Sequence, residues 1–240
     1  MRPKRILGVA VLLVLTACTP ASLEVSGCEY RLSEGGFEAA LDQAGEEPEI
    51  PRWTLNSLSS STTTLVIWDG EETYYATGFW IAEGIVATAS HAIDGAELIV
   101  VAELAGGGRI LEVSSYVRDP EKDLALLLVK GESEGEPLPI GDPLDLRRGD
   151  PIYTLKFVLG SVDVQGGNVV GTMCTNTHTV PLLFTNNRIE LGNSGGPALN
   201  SRGEVVGIVS GMILKDWEEA AGTVIVPINY VLDLLDTVPR

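Results

Sequence analysis

Ser194 stands in the stretch Gly192-Asn193-Ser194-Gly195-Gly196-Pro197, and two candidate partners for it lie upstream. His91 sits in Thr88-Ala89-Ser90-His91-Ala92, and Asp123 opens Asp123-Leu124-Ala125-Leu126-Leu127. A serine hydroxyl holds its proton too tightly to attack a carbonyl at neutral pH. It becomes a nucleophile when an imidazole takes that proton and a carboxylate fixes the imidazole's tautomer. Glycines beside the serine let the backbone bend sharply enough to expose Oγ and to aim N–H groups at a developing oxyanion. Asp119 competes with Asp123 for the carboxylate role, but the apolar run 124–129 follows Asp123 directly and favours it. The second histidine, His178, lies in Thr175-Asn176-Thr177-His178-Thr179 with no apolar frame and reads as exposed.

Side chains so far apart in sequence need a scaffold. From about residue 62 the chain breaks into short apolar runs punctuated by Gly, Asp-Gly or Pro. They are 64–68, 74–81, 85–88, 96–102, 109–116, 124–129, 151–157, 168–173, 203–209 and 222–226. Strand-length segments with turn residues between them indicate an all-β sandwich or barrel. Only 228–236 has helical spacing. The strands fall into two groups that meet near 137–150; His91 and Asp123 precede that connection and Ser194 follows it. A cleft between two packed units would bring them together.

The start of the chain reads as an export signal. Arg2, Lys4 and Arg5 precede the apolar run 6–15, which is shorter than the roughly 20 residues a membrane span needs. It ends in Leu15-Thr16-Ala17-Cys18. Removing 1–17 takes three of the 16 basic residues and none of the 33 acidic ones, which leaves a charge of about −20. That surface excludes nucleic acid as a partner, because phosphates would be repelled. From Thr19 to about Ser61 the composition is polar, acidic and rich in Gly and Pro, as in a tether. Cys28 and Cys174 form a candidate disulfide pair, which an exported location permits. Neither has a second ligand at metal spacing, and no metal or cofactor is expected.

With these residues laid out, the chain resembles the trypsin-like (chymotrypsin-fold) serine peptidases, and within them the bacterial HtrA/Deg branch. The resemblance covers roughly residues 62–236. It rests on Thr77-Gly78-Phe79, on 86–91, on Asp119 to Leu126, on 139–143 and 146–150, on Gly192 to Pro197, on 203–208 and on 226–229. It implies two six-stranded antiparallel β-barrels with a short C-terminal helix. The units would be a lipoprotein signal at 1–17, a tether at 18–61, a first barrel at 62–136, a connection at 137–150, a second barrel at 151–226 and the helix at 227–240. By the family pattern His91 is the general base, Asp123 its orienter and Ser194 the nucleophile. The N–H groups of Gly192 and Ser194 form the oxyanion hole. Glu190 and Leu191 on one side, and Ser210, Gly211 and Met212 on the other, would line the substrate pocket, the latter as an edge that an extended polypeptide joins. Cys18 resembles a lipobox cysteine, which would anchor the chain to a membrane by its lipid, with the peptidase domain outside the cytoplasm. No PDZ module is read within the 240 residues. Two functions fit this pattern: an anchored endopeptidase cutting polypeptides, or a catalytically silent lipoprotein that uses the same fold as a binding or scaffold protein.

Overall fold

The computed structural model describes residues 12–13, 30–31, 41, 45–51, 58–103, 108–132, 135–158, 161–175, 177–216 and 219–238. Two closed barrels dominate it. The first is built from β3 (Thr62–Trp68), β4 (Thr73–Ala82), β5 (Ile85–Ala89), β6 (Leu98–Glu103), β7 (Arg109–Asp119) and β8 (Leu124–Val129), closing in the order β3-β4-β5-β8-β7-β6. The second uses β9 (Pro151–Val158), β10 (Ser161–Cys174), β11 (Leu182–Thr185), β12 (Pro197–Leu199), β13 (Val205–Asp216) and β14 (Glu219–Pro227). Its order is β12-β9-β10-β11-β14-β13, with β13 pairing back to β12. All pairings within the two barrels are antiparallel. The helix Ile228–Leu235 follows the last strand.

Why Leu124–Leu127 is apolar without alternation becomes clear from its two faces. Successive strand residues point to opposite sides of a sheet. Ala125 and Leu127 pack inside the first barrel with Leu65, Ile67, Trp80 and Val86. Leu124 and Leu126 face the other way, into a cluster with Leu155, Val170, Phe184 and Ile208 of the second barrel. The strand that begins one residue after Asp123 is therefore buried on both sides, which fixes its register and holds Asp123 at the seam. Ile228 and Val231 of the helix join the same cluster.

The connection between the barrels is pinned at both ends. Leu138 N–H donates to Trp80 O at 3.0 Å, and Gly141 N–H to Val205 O at 2.9 Å. Within the stretch read as a tether, residues 45–51 lie against the second barrel: Asn168 Nδ2 donates to Glu46 O (2.8 Å), and Tyr153 OH to Glu49 O (3.3 Å). Two further short strands complete the sheet. β1 (Leu12–Leu13) runs parallel to Met212–Ile213, and β2 (Tyr30–Arg31) runs parallel to Met173–Cys174. Cys18, Cys28 and residues 159–160 lie outside the described residues. Among the described residues, no helix is long and apolar enough to cross a membrane.

Candidate active site

Asp123 ends the tight turn between β7 and β8, where its N–H donates to Pro120 O at 3.3 Å. Its φ of 57° is the only positive value among the described non-glycine residues. Aspartate tolerates this left-handed conformation better than most side chains. Asp119, the competing carboxylate, is engaged inside that turn instead, bonded to the backbone N–H and ammonium of Lys122. Ser90 N–H donates to Asp123 O (3.1 Å), so the end of β5 and the start of β8 are tied together beside His91.

His91 opens a single 3-10 turn, His91–Ile93, directly after β5. Its Nδ1 lies 2.8 Å from Asp123 Oδ2 and 3.0 Å from Oδ1, and its own N–H donates to Oδ1 at 2.8 Å. A buried carboxylate can only accept, so Nδ1 carries the proton and Nε2 is left with its lone pair. That Nε2 is buried and makes no hydrogen bond among the described residues. Arg118, from β7, steadies the approach by donating through Nε to Ser90 Oγ (2.9 Å) and through Nη2 to Asp94 (2.9 Å).

Ser194 arrives from the second barrel on a loop pressed against β4 and β5. Gly195 shows how closely: its φ is 80°, and a Cβ there would lie 2.0 Å from Thr88 Oγ1 and 2.9 Å from Ala89 N. Only glycine fits such an approach. The carbonyls of Gly192, Asn193 and Ser194 are all occupied. Thr77 Oγ1 donates to Gly192 O (2.7 Å), Gly196 N–H to Asn193 O (2.8 Å), and Thr77 N–H to Ser194 O (3.1 Å). By contrast, the N–H groups of Gly192 and Ser194 make no hydrogen bond to any described residue. Two unpaired donors on one bent loop form a place for an anion.

The carboxylate has a further partner from the second barrel. Ser210 Oγ donates to Asp123 Oδ2 at 2.5 Å. Burial would push the Asp123 carboxyl up. The hydrogen bonds and charge of His91, with Ser210, outweigh it and hold that carboxyl below the ordinary range. The charged form is therefore favoured beside the imidazole.

The pocket residues divide. Leu191 is exposed, Gly211 is buried, and Met212 is half-buried on β13. The Glu190 side chain is 70% exposed and paired with Lys156 Nζ at 2.9 Å, so its carboxylate belongs to a surface ion pair. Ser210 turns its hydroxyl onto Asp123 and offers a substrate only its backbone. The edge at Met212–Ile213 is joined by the chain's own Leu12–Leu13.

His178 corrects the reading from sequence. It is only 8% exposed, with Nε2 3.0 Å from Ser210 Oγ. Its polar neighbours Thr175 and Thr177 face Nδ1 (3.0 Å each), so they serve as hydrogen-bond partners and not as a solvated loop. Thr77, too, had no assigned role in the sequence, although its place in Thr77-Gly78-Phe79 marked it. Cys174 is disulfide-bonded to a partner outside the described residues. No cluster of metal-binding side chains occurs among the described residues.

Two barrels with these groups brought together at their seam have the form of a trypsin-like peptidase domain. The family model of the trypsin-like peptidase domain matches residues 76–208, more than half of the chain, which belongs to that family. A probable periplasmic serine endoprotease, DegP-like, from Marinomonas sp. is 32% identical over 179 residues, 70% of this chain and 36% of that protein. The chain spans about a third of the length of the curated relatives it matches. An HtrA-type protease solved with a tripeptide superposes with a TM-score of 0.65 at 22% identity, over 76% of this chain and 62% of that one. The active form of the Rv3671c protease from M. tuberculosis gives 0.63 at 20%, over 82% and 92%. At such identities these likenesses speak to the fold: two barrels of the chymotrypsin type.

Proposed function

We propose that this chain is a serine endopeptidase of the HtrA/Deg type, with His91, Asp123 and Ser194 as its catalytic triad. The observation that carries the reading is the His91–Asp123 pair, with Nδ1 bound to the carboxylate, next to a loop that packs on Thr88 and Ala89 and whose Gly192 and Ser194 N–H groups make no hydrogen bond to a described residue. In the first step Ser194 Oγ bonds to the scissile carbonyl carbon while its proton passes to His91 Nε2. The new oxyanion lies against the N–H groups of Gly192 and Ser194; each such donor lowers the barrier by about 3 kcal/mol. The C–N bond then breaks, and the leaving amine takes the proton from Nε2. Water repeats the sequence on the acyl-enzyme: it gives a proton to His91, bonds to the carbonyl carbon and releases the acid, and Ser194 regains its hydrogen.

The substrate is an extended polypeptide whose backbone pairs with the β13 edge at Ser210–Met212. That Leu12–Leu13 joins the adjacent Met212–Ile213 in parallel supports the edge's capacity to accept a strand. Export to the cell envelope follows from the leader and agrees with relatives named periplasmic. Cys18 is the lipid-anchored residue in this reading. Cys28 is the partner of Cys174, supported by the backbone pairing of nearby Arg31 with Cys174.

One observation favours the silent, scaffold reading: no hydrogen bond joins His91 Nε2 to another described group, Ser194 Oγ included. Catalytic hydrogen bonds are often loose without substrate, which leaves the peptidase reading ahead. A fluorophosphonate probe decides between them. It should label the wild-type protein at Ser194, found by mass spectrometry of the peptide, and Ser194→Ala should abolish the labelling. Unlabelled wild-type protein would establish the scaffold reading.

A further inference from the structure

Asp123 is not the end of the hydrogen-bonded chain that starts at His91. Beyond its carboxylate lie Ser210, 1% exposed, and then His178, which no step of the proposed reaction uses. The directions of these bonds follow from counting protons. Ser210 has one, and the carboxylate can only accept, so the Ser210 proton points at Asp123 Oδ2. Toward His178 the Ser210 oxygen must then accept, so the proton of the imidazole is on Nε2. Nδ1 becomes the acceptor, its one lone pair open to the hydroxyl of Thr175 or of Thr177, each 3.0 Å away, while those two hydroxyls bond each other at 3.1 Å. Among the described residues no carboxylate bonds to Nδ1, and burial lowers the basicity of this imidazole; Asp123 opposes that effect and His91 adds to it. His178 is a neutral donor with a single defined tautomer.

The loop that presents it is clamped to the other barrel. Thr179 N–H donates to Glu121 O at 3.0 Å, two residues before Asp123. The loop that carries the imidazole is thus tied to the turn that carries the carboxylate, with one serine hydroxyl between the two side chains.

We propose that His178 is a positioning residue for the catalytic pair, aligning the Ser210 hydroxyl as a donor to Asp123 and so setting the carboxylate that orients His91. This inference rests on the reading of His91, Asp123 and Ser194 as the catalytic triad. A hydroxyl that accepts a hydrogen bond is a stronger donor in its turn, so the effect is transmitted through Ser210 and not through space. Without it, Asp123 loses part of its second donor and holds the His91 proton more tightly.

The test is the second-order rate of fluorophosphonate labelling at Ser194 as a function of pH, for the wild type, Ser210→Ala, His178→Leu, the double variant and His178→Gln. His178→Leu should label about tenfold more slowly, the worth of one hydrogen bond to this network. Its acidic limb should move to higher pH, because a carboxylate with a weaker second donor favours the imidazolium. Among the groups that titrate, Asp123 and His91 are those acting on His178, and His91 is the one acting on Asp123. The double variant should be no slower than Ser210→Ala, because the two residues act in series. His178→Gln, whose amide can donate in place of Nε2, should recover to within about threefold of wild type. Wild-type labelling with an unchanged rate and profile in His178→Leu overturns the proposal, as do effects that multiply in the double variant. Unlabelled wild-type protein overturns the peptidase reading, and the role assigned to His178 with it. If His178→Leu does not fold, nitrogen-15 NMR of the wild-type imidazole still decides: an Nε2–H tautomer at neutral pH supports the proposal, and an Nδ1–H tautomer overturns it.

Discussion

Thr77 makes four hydrogen bonds, two of them to the Ser194 loop and two to the strands beside it. Its N–H holds Ser194 O, its hydroxyl donates to Gly192 O and accepts from Phe157 N–H (3.1 Å), and its carbonyl accepts from Thr88 Oγ1 (2.9 Å). With the Gly192 carbonyl tied to Thr77, the backbone just after the Gly192 N–H is fixed, which holds the bend that aims that donor. Thr77→Val keeps the shape and removes the hydroxyl. It should lower kcat about a hundredfold, the scale of losing one oxyanion donor, with little change in KM. Thr77→Ser should restore most of the rate, and both follow from steady-state kinetics on a peptide substrate. The valine variant also leaves the buried Phe157 N–H unpaired, at a cost of about 1–3 kcal/mol, so a urea melt should accompany the kinetics.

Glycines inside strands mark the limit of pattern reading at the level of elements. The apolar run 168–173 is the only part of its strand that the pattern shows. In the structure β10 starts at Ser161 and passes straight through Gly166 and Gly167. The reason is close approach: a Cβ on Gly167 would lie 2.5 Å from Asn187 Oδ1 and 2.6 Å from its backbone N. Gly167→Ala should therefore cost roughly 1–3 kcal/mol and lower the melting temperature by several degrees, measurable by calorimetry. β11 and β12 were not legible either. At four and three residues they are too short to show alternation, and β12 starts at Pro197 immediately after the glycine-rich loop. Leu124–Val129 was legible because both of its faces are buried. The same distinction applies to the site. His91, Asp123 and Ser194 stand in apolar or glycine-rich frames that sequence reveals. Thr77 and His178 act through hydrogen bonds to residues 80 or more positions away (Phe157 and Gly192) or 32 away (Ser210), and composition carries no trace of such partners.

Across the whole molecule, the barrels are joined by an apolar cluster and by polar ties that all bear on the site. Thr64 Oγ1 donates to Phe157 O at 2.7 Å, Thr77 spans to Ser194, Thr179 to Glu121, and Ser210 to Asp123. The seam that aligns the catalytic groups is thus itself sensitive to pH, in two separate windows. Asp123 is lowered by folding, so its contribution is present above the unfolded value near 3.9 and is lost as pH falls through the folded one. His178 is also lowered. Below about pH 6.5 the unfolded chain binds a proton that the folded chain refuses, so stability rises with pH across this window, by at most about 1.4 kcal/mol per unit. Urea melts between about pH 5.5 and 7 should show that rise in the wild type. His178→Gln cannot titrate, so its stability should depend less on pH over the same interval, and equal slopes for the two proteins would contradict a buried neutral His178. Acidification below pH 6.5 would then loosen the seam first at the His178 loop, well before Asp123 is protonated, because the imidazole must leave its threonine and serine partners to be hydrated as a cation.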